Sequence, residues 1–202
     1  IRAALVRLEQ EGLLEALPSG GYVVQSFSER DVADAIELRG TLEGLLARLA
    51  AERGAPAAVL AEARQCLGGI DALLTAPRLD DDAFSAYVAL NSRFHALLCE
   101  LADSPTIARQ LERAESLPFA SPSGFVLLQA QSARARDMLV VAQDQHRQVL
   151  DAIEQGEGSR AEAIMREHSR LARRNLVEVL AAPPSEPLAG NMPAIRMIRR
   201  RR

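Results

Sequence analysis

Apolar positions recur every three to four residues along most of the chain, and capping residues cut the pattern into helices. Ile1, Ala4, Leu5 and Leu8 form a short stripe closed by Gly12, and Leu13–Leu17 and Tyr22–Gln25 then flank Pro-Ser-Gly-Gly as the arms of a β-hairpin. Ser28-Glu-Arg-Asp31 reads as a capping box opening a long helix to about Arg53, with Val32, Ala35, Ile36, Leu42, Leu45, Leu46 and Leu49 on its apolar face. Gly54 and Pro56 separate it from a second helix over about 57–74, and Asp80-Asp-Asp82 caps a third, from about Ala83 to Ala102. Ser104-Pro105 opens a short fourth helix that ends before Leu117-Pro118. After a loop at 118–124, a long helix runs from about Phe125 to Gln155, with a polar interruption near Ala133. Ser159-Arg-Ala-Glu162 reads as the capping box of a last helix reaching about Leu180.

The pattern predicts an all-α fold. An antiparallel bundle of six to seven helices occupies residues 28–180. Residues 1–27 form a helix and a small hairpin, and 181–202 is a tail without periodic core positions, expected to be disordered. A helix followed by a short hairpin is the back half of a winged helix-turn-helix, or a helix and ribbon capping the next domain. The sequence opens at Ile1 inside a helical pattern, so a segment ahead of it is expected.

Composition supports helices: aromatic residues are only 3% of the chain, against 48% hydrophobic and 25% charged. No apolar run approaches the ~20 residues of a membrane helix. Two cysteines, Cys66 and Cys99, make no disulfide framework, and a reduced, cytoplasmic setting is expected. Of the net charge of −3, the tail contributes +4 through five Arg and one Glu, which leaves −7 on the rest. An acidic body does not attract nucleic acid by bulk charge, so contact with DNA has to come from a local element. The Arg199–Arg202 run reads as a solvated tail, with contact to DNA phosphates as the other reading.

The chain has three histidines. His95 follows Asn91 by four residues, so both leave one face of the third helix. His146 and His168 each lie eleven residues from Glu157, the middle of the Gly156-Glu-Gly158 turn. In an antiparallel hairpin that equality brings them level, roughly 16 Å from the turn at ~1.5 Å per residue. Three imidazoles and an amide oxygen so placed make a divalent-metal site inside a bundle, or else are packed core histidines with hydrogen-bond partners. Cys99, one turn beyond His95, is either a thiolate ligand or a small core residue. The H-E-x-x-H metalloprotease motif is absent, and no carboxylate is plainly placed as a general base, with Glu162 and Glu167 as the candidates.

Ile1-Arg-Ala-Ala-Leu5, Leu8-Glu-Gln-Glu-Gly-Leu13 and Gly20-Gly-Tyr-Val23 resemble the end of the DNA-binding domain of GntR-family bacterial regulators. The resemblance implies that Arg2 belongs to the recognition helix, that Gly20 and Gly21 form the wing tip, and that operator DNA is the partner. Over about 29–180, Glu37-Leu-Arg-Gly-Thr-Leu-Glu43, Asn91-x-x-Phe94-His95, His146-x-x-x-Leu150-x-x-Ile153 and Ala161–His168 resemble the FCD ligand-binding domain of the FadR subfamily. The metal-binding branch of that family implies a divalent cation (Zn, Ni or Mn) held by His95, His146 and His168, with Asn91 where an Asp is common. It further implies a small carboxylate effector, for which Arg39 is the candidate partner, and a homodimer. An ion pair between Arg39 and Glu43 is the competing reading of Arg39. The function so implied is a transcriptional regulator rather than an enzyme. A metal-dependent helical-bundle enzyme and a helical interaction module without metal are the alternatives.

Overall fold

A computed structural model describes residues 1–76, 79–117, 120–121, 135–181 and 198–199. Helix α1 (Arg2–Gln10) leads into strands β1 (Leu14–Ala16) and β2 (Tyr22–Val24), paired antiparallel with Leu14 opposite Val24 and Ala16 opposite Tyr22. Gly20 and Gly21 turn the hairpin at φ of 89° and 90°, a region open to glycine and strained for other residues. None of the α1 residues is buried, and Arg2 is exposed in its first turn.

Strand β3 (Phe27–Ser28) then hands over to α2 (Glu29–Arg53) through the expected capping box: Asp31 N–H donates to Ser28 Oγ at 3.1 Å, and Ser28 N–H to Asp31 Oδ2 at 2.7 Å. Helices α3 (Ala57–Leu74), α4 (Asp81–Ala102) and α5 (Pro105–Glu115) follow where the pattern puts them. Asp80 caps α4, its Oδ1 accepting from Ala83 N–H at 2.8 Å. The described part of the next helix, α6, is Ala135–Glu154; its expected start near Phe125 lies outside the described residues, as does most of the 118–124 loop. Helix α7 spans Gly158–Ala181.

Four details differ from the sequence expectation. The first turn of α7 closes from Glu157 O to Ala161 N at 3.0 Å, which puts Ser159 inside the helix rather than ahead of it. Glu162 bonds to Arg48 of α2 at 3.0 Å instead of closing a capping box. On α2 the buried face runs through Ile36, Arg39, Gly40, Glu43, Ala47 and Ala50, so Leu42, Leu45 and Leu49 stand at its edge. Within the tail, Ile198–Arg199 forms a two-residue strand, β4, parallel to β3, with Phe27 opposite Ile198.

The core is one cluster fed by α2 to α7, including Leu46, Leu67, Ile70, Phe94, Leu98, Val149 and Met165. Helix α7 lies closely along α2 because Gly40 and Gly44, one turn apart, remove side chains from the contact. A Cβ on Gly40 would collide with the Ser169 side chain, and one on Gly44 would stand 2.9 Å from Arg166 Cγ. That close approach fixes the depth of α7, and with it His168. Among the described residues no helix is long and apolar enough to cross a membrane.

Candidate metal centre

The α6–α7 hairpin does bring His146 and His168 level: their Nε2 atoms face each other at 3.1 Å. Helix α4 adds His95, whose ring centroid lies 5.4 Å from that of His146 and 5.3 Å from that of His168. One ring nitrogen from each histidine falls within 4.8 Å of the other two, and all three residues are buried. Asn91 is buried on the same helix, one turn before His95.

Each imidazole is held from outside by an acceptor at Nδ1. His95 Nδ1 bonds to Glu43 Oε1 at 2.6 Å, His146 Nδ1 to Gln143 Oε1 at 3.3 Å and His168 Nδ1 to Gln145 Oε1 at 3.3 Å. The Gln143 amide is oriented by its own Nε2, which donates to Leu67 O at 2.9 Å, so its oxygen is left for His146. An acceptor at Nδ1 puts the proton there and leaves the Nε2 lone pair free. With His146 and His168 in this tautomer, two lone pairs converge at 3.1 Å, an arrangement that a shared cation stabilises; with one ring in the other tautomer the same contact is an N–H···N hydrogen bond. Two nitrogens bound tetrahedrally at ~2.0–2.1 Å from zinc would lie roughly 3.3 Å apart. His95 Nε2 is buried and has no hydrogen-bond partner among the described residues. The donor set therefore fits a divalent ion.

Electrostatics keep the rings in ligand form. Burial, reinforced by the neighbouring rings, holds His146 and His168 well below the usual imidazole range, so both stay neutral at pH 7. Burial alone would push the Glu43 carboxyl up; Arg39 and His95 outweigh it and hold Glu43 at about 2. The Arg39–Glu43 ion pair is formed, at 2.9 Å and fully inside the bundle, and Arg39 Nε is left without a partner among the described residues.

Sequence reasoning left Glu43, Gln143 and Gln145 out of the site. The signal for Glu43 was present: Ile36, Arg39, Glu43 and Leu46 follow one another at three- and four-residue steps, which puts both charges on a buried stripe. Cys99 lies outside the histidine group. Burial pushes its thiol up to about 11, which disfavours a thiolate ligand. Arg93 and Arg147 turn away, to Glu100 at 2.6 Å and Asp71 at 2.6 Å. Glu167 pairs with Arg170 at 2.8 Å on an exposed face, and Glu162 with Arg48. The two carboxylates considered as a general base are thus both engaged in ion pairs.

Residues 34–171 match the FCD domain family. The chain is 28% identical over 171 residues to the HTH-type transcriptional repressor GlaR of Escherichia coli (strain K12), covering 83% of this chain and 74% of that protein. It is 30% identical over 195 residues to an uncharacterized HTH-type transcriptional regulator in an unstable DNA locus of Streptomyces ambofaciens, covering 91% and 72%. The solved structure of E. coli McbR/YncC superposes with a TM-score of 0.66 at 17% identity, over 89% of this chain and 84% of that one, a likeness of fold.

Proposed function

Because the chain belongs to the FCD-domain branch of the GntR-type transcriptional regulators, we propose that its helical domain senses a small carboxylate through a bound divalent metal ion and passes the signal to operator DNA. The protein is a regulator and not an enzyme. The reading rests above all on the three imidazoles, each tethered at Nδ1 to an acceptor and together presenting ring nitrogens within 4.8 Å of one another.

In this proposal His95, His146 and His168 hold the ion, with Asn91 Oδ1 as a fourth donor where an Asp would add charge. Zn, Ni and Mn are the fitting ions, since imidazole ligands suit borderline divalent cations. The ion would supply a Lewis-acid anchor for a carboxylate. Glu43 orients the His95 ring and balances Arg39, and the unpartnered Arg39 Nε favours an anion nearby. Arg2 and the Gly20–Gly21 tip would meet DNA from a cytoplasmic homodimer, in keeping with two-fold operators. An effector acts only if it binds one dimer state better than the other.

The test is elemental analysis and thermal melting of the purified chain beside His95→Ala. Stoichiometric metal, lost in the variant, and a rise in melting temperature with acetate, lactate or butanoate are expected. A chain that takes up no zinc, nickel or manganese would overturn the metal reading.

A further inference from the structure

A cavity of about 540 Å³ opens between α4 and α5 and reaches His95, a size suited to a small molecule. Its charged lining residues are Glu100, Glu112 and Glu115, and no Arg lines it among the described residues. Glu100 is balanced by Arg93 at 2.6 Å. Glu112 and Glu115 have no ion-pair partner among the described residues. Glu115 is half-buried, and burial, followed by the charge of Glu43, pushes its carboxyl up to about 7. Among the described residues that line the pocket no cation meets this carboxyl, and Arg39, which is paired with Glu43, only partly offsets the rise. At the inner end stands the unpartnered His95 Nε2, on a residue only 3% exposed.

The two ends of this cavity ask for opposite groups. The inner end, with neutral imidazoles, a neutral Asn91 and an Arg39–Glu43 pair that cancels, would leave a divalent ion uncompensated and so attract an anion. Among the described residues, the only charged groups at the outer end are carboxyls. We propose that the effector is a small amino acid, its carboxylate at the metal and its ammonium against Glu115; this rests on the metal-and-carboxylate reading above. A second carboxylate in place of the ammonium would face Glu112 and Glu115 with nothing to balance it. An alkyl end would leave the half-buried Glu115 carboxyl without a partner.

The experiment is calorimetric titration of the zinc-loaded chain with ω-amino acids from glycine to 6-aminohexanoate. Monocarboxylates and dicarboxylates of equal length are run beside them, and the series is repeated on Glu115→Gln. One amino acid is expected to bind at least about tenfold tighter than both equal-length partners, as a charge-assisted hydrogen bond gives, and that preference is expected to fall to about twofold or less in Glu115→Gln. Dicarboxylates or monocarboxylates binding as tightly as the amino acids would overturn this inference alone, as would a preference that survives in Glu115→Gln. Zinc uptake with no carboxylate of any class bound would overturn both this inference and the effector reading. Failure to take up zinc would instead sink the metal reading, and this inference with it.

Discussion

Replacing Glu43 by Gln isolates the charge that holds the centre together. Glu43 is 0% and Arg39 2% exposed, and the carboxylate joins Arg39 at 2.9 Å to His95 at 2.6 Å. Gln keeps the shape and one oxygen to accept from His95 Nδ1–H, but it cannot balance the buried guanidinium. Removing one partner of a buried pair costs about 3–5 kcal/mol. A second route agrees. The carboxyl is held at about 2 against 4.5 for an unburied one, a difference worth about 3 kcal/mol at neutral pH. The folded value lies below the unfolded one, so this contribution is complete above pH 4.5 and is lost as pH falls toward 2.

The assay is urea unfolding of the metal-free chain at pH 7. With m of about 2–3 kcal/mol/M, the midpoint should drop by roughly 1–2.5 M in Glu43→Gln. Between pH 4.5 and 3.5 the wild type should lose stability more steeply than the variant, which has no carboxyl to protonate. Arg39→Leu combined with Glu43→Leu removes both charges and should recover much of the loss. A Glu43→Gln midpoint within about 0.2 M of wild type, well inside that m-value range, would refute the claim that a buried ionised carboxylate supports His95.

Other outcomes follow from the same geometry. Gly40→Ala drives a methyl group into Ser169 and should cost about 1–3 kcal/mol in urea unfolding; Ser169→Gly in the same chain should restore part of it. Asn91→Asp returns a negative charge to the centre and should tighten zinc binding by about tenfold or more in a chelator competition, as one added charge–charge contact permits. His146 and His168 are held well below the 6.5 of free imidazole by burial. Stability of the metal-free chain should therefore be complete above pH 6.5 and fall as pH drops below it, because the unfolded state takes up protons first. Urea midpoints from pH 7.5 to 5 check this, and His146→Leu should flatten the slope.

Much of the fold was legible because caps and periodicity agree along the chain. Ser28–Asp31, Gly54 and Asp80 fix helix ends within a residue or two, since each satisfies backbone groups that would otherwise be orphaned. The histidine pair was legible for a simpler reason: equal spacing about Glu157 becomes equal height in a hairpin. What stayed hidden depends on partners far away in sequence. Arg39 reads as an effector partner or as half of an i,i+4 pair with Glu43, and the link to His95, 52 residues on from Glu43, appears only once α4 is packed against α2. The role of Gly40 and Gly44 shows only where α7 lies over them. Ser159 has the spacing of a cap, yet Glu162 finds Arg48 on α2. The β3–β4 pairing joins two-residue strands from opposite ends of the chain, which no local pattern announces.

X-ray absorption at the zinc edge of the loaded chain tests the metal centre most directly. Three imidazole nitrogens should appear at ~2.0–2.1 Å with no sulfur shell, and the imidazole signature should fall in His95→Ala and His168→Ala alike. A sulfur shell at ~2.3 Å, or a nitrogen count unchanged by either substitution, would contradict a three-histidine centre.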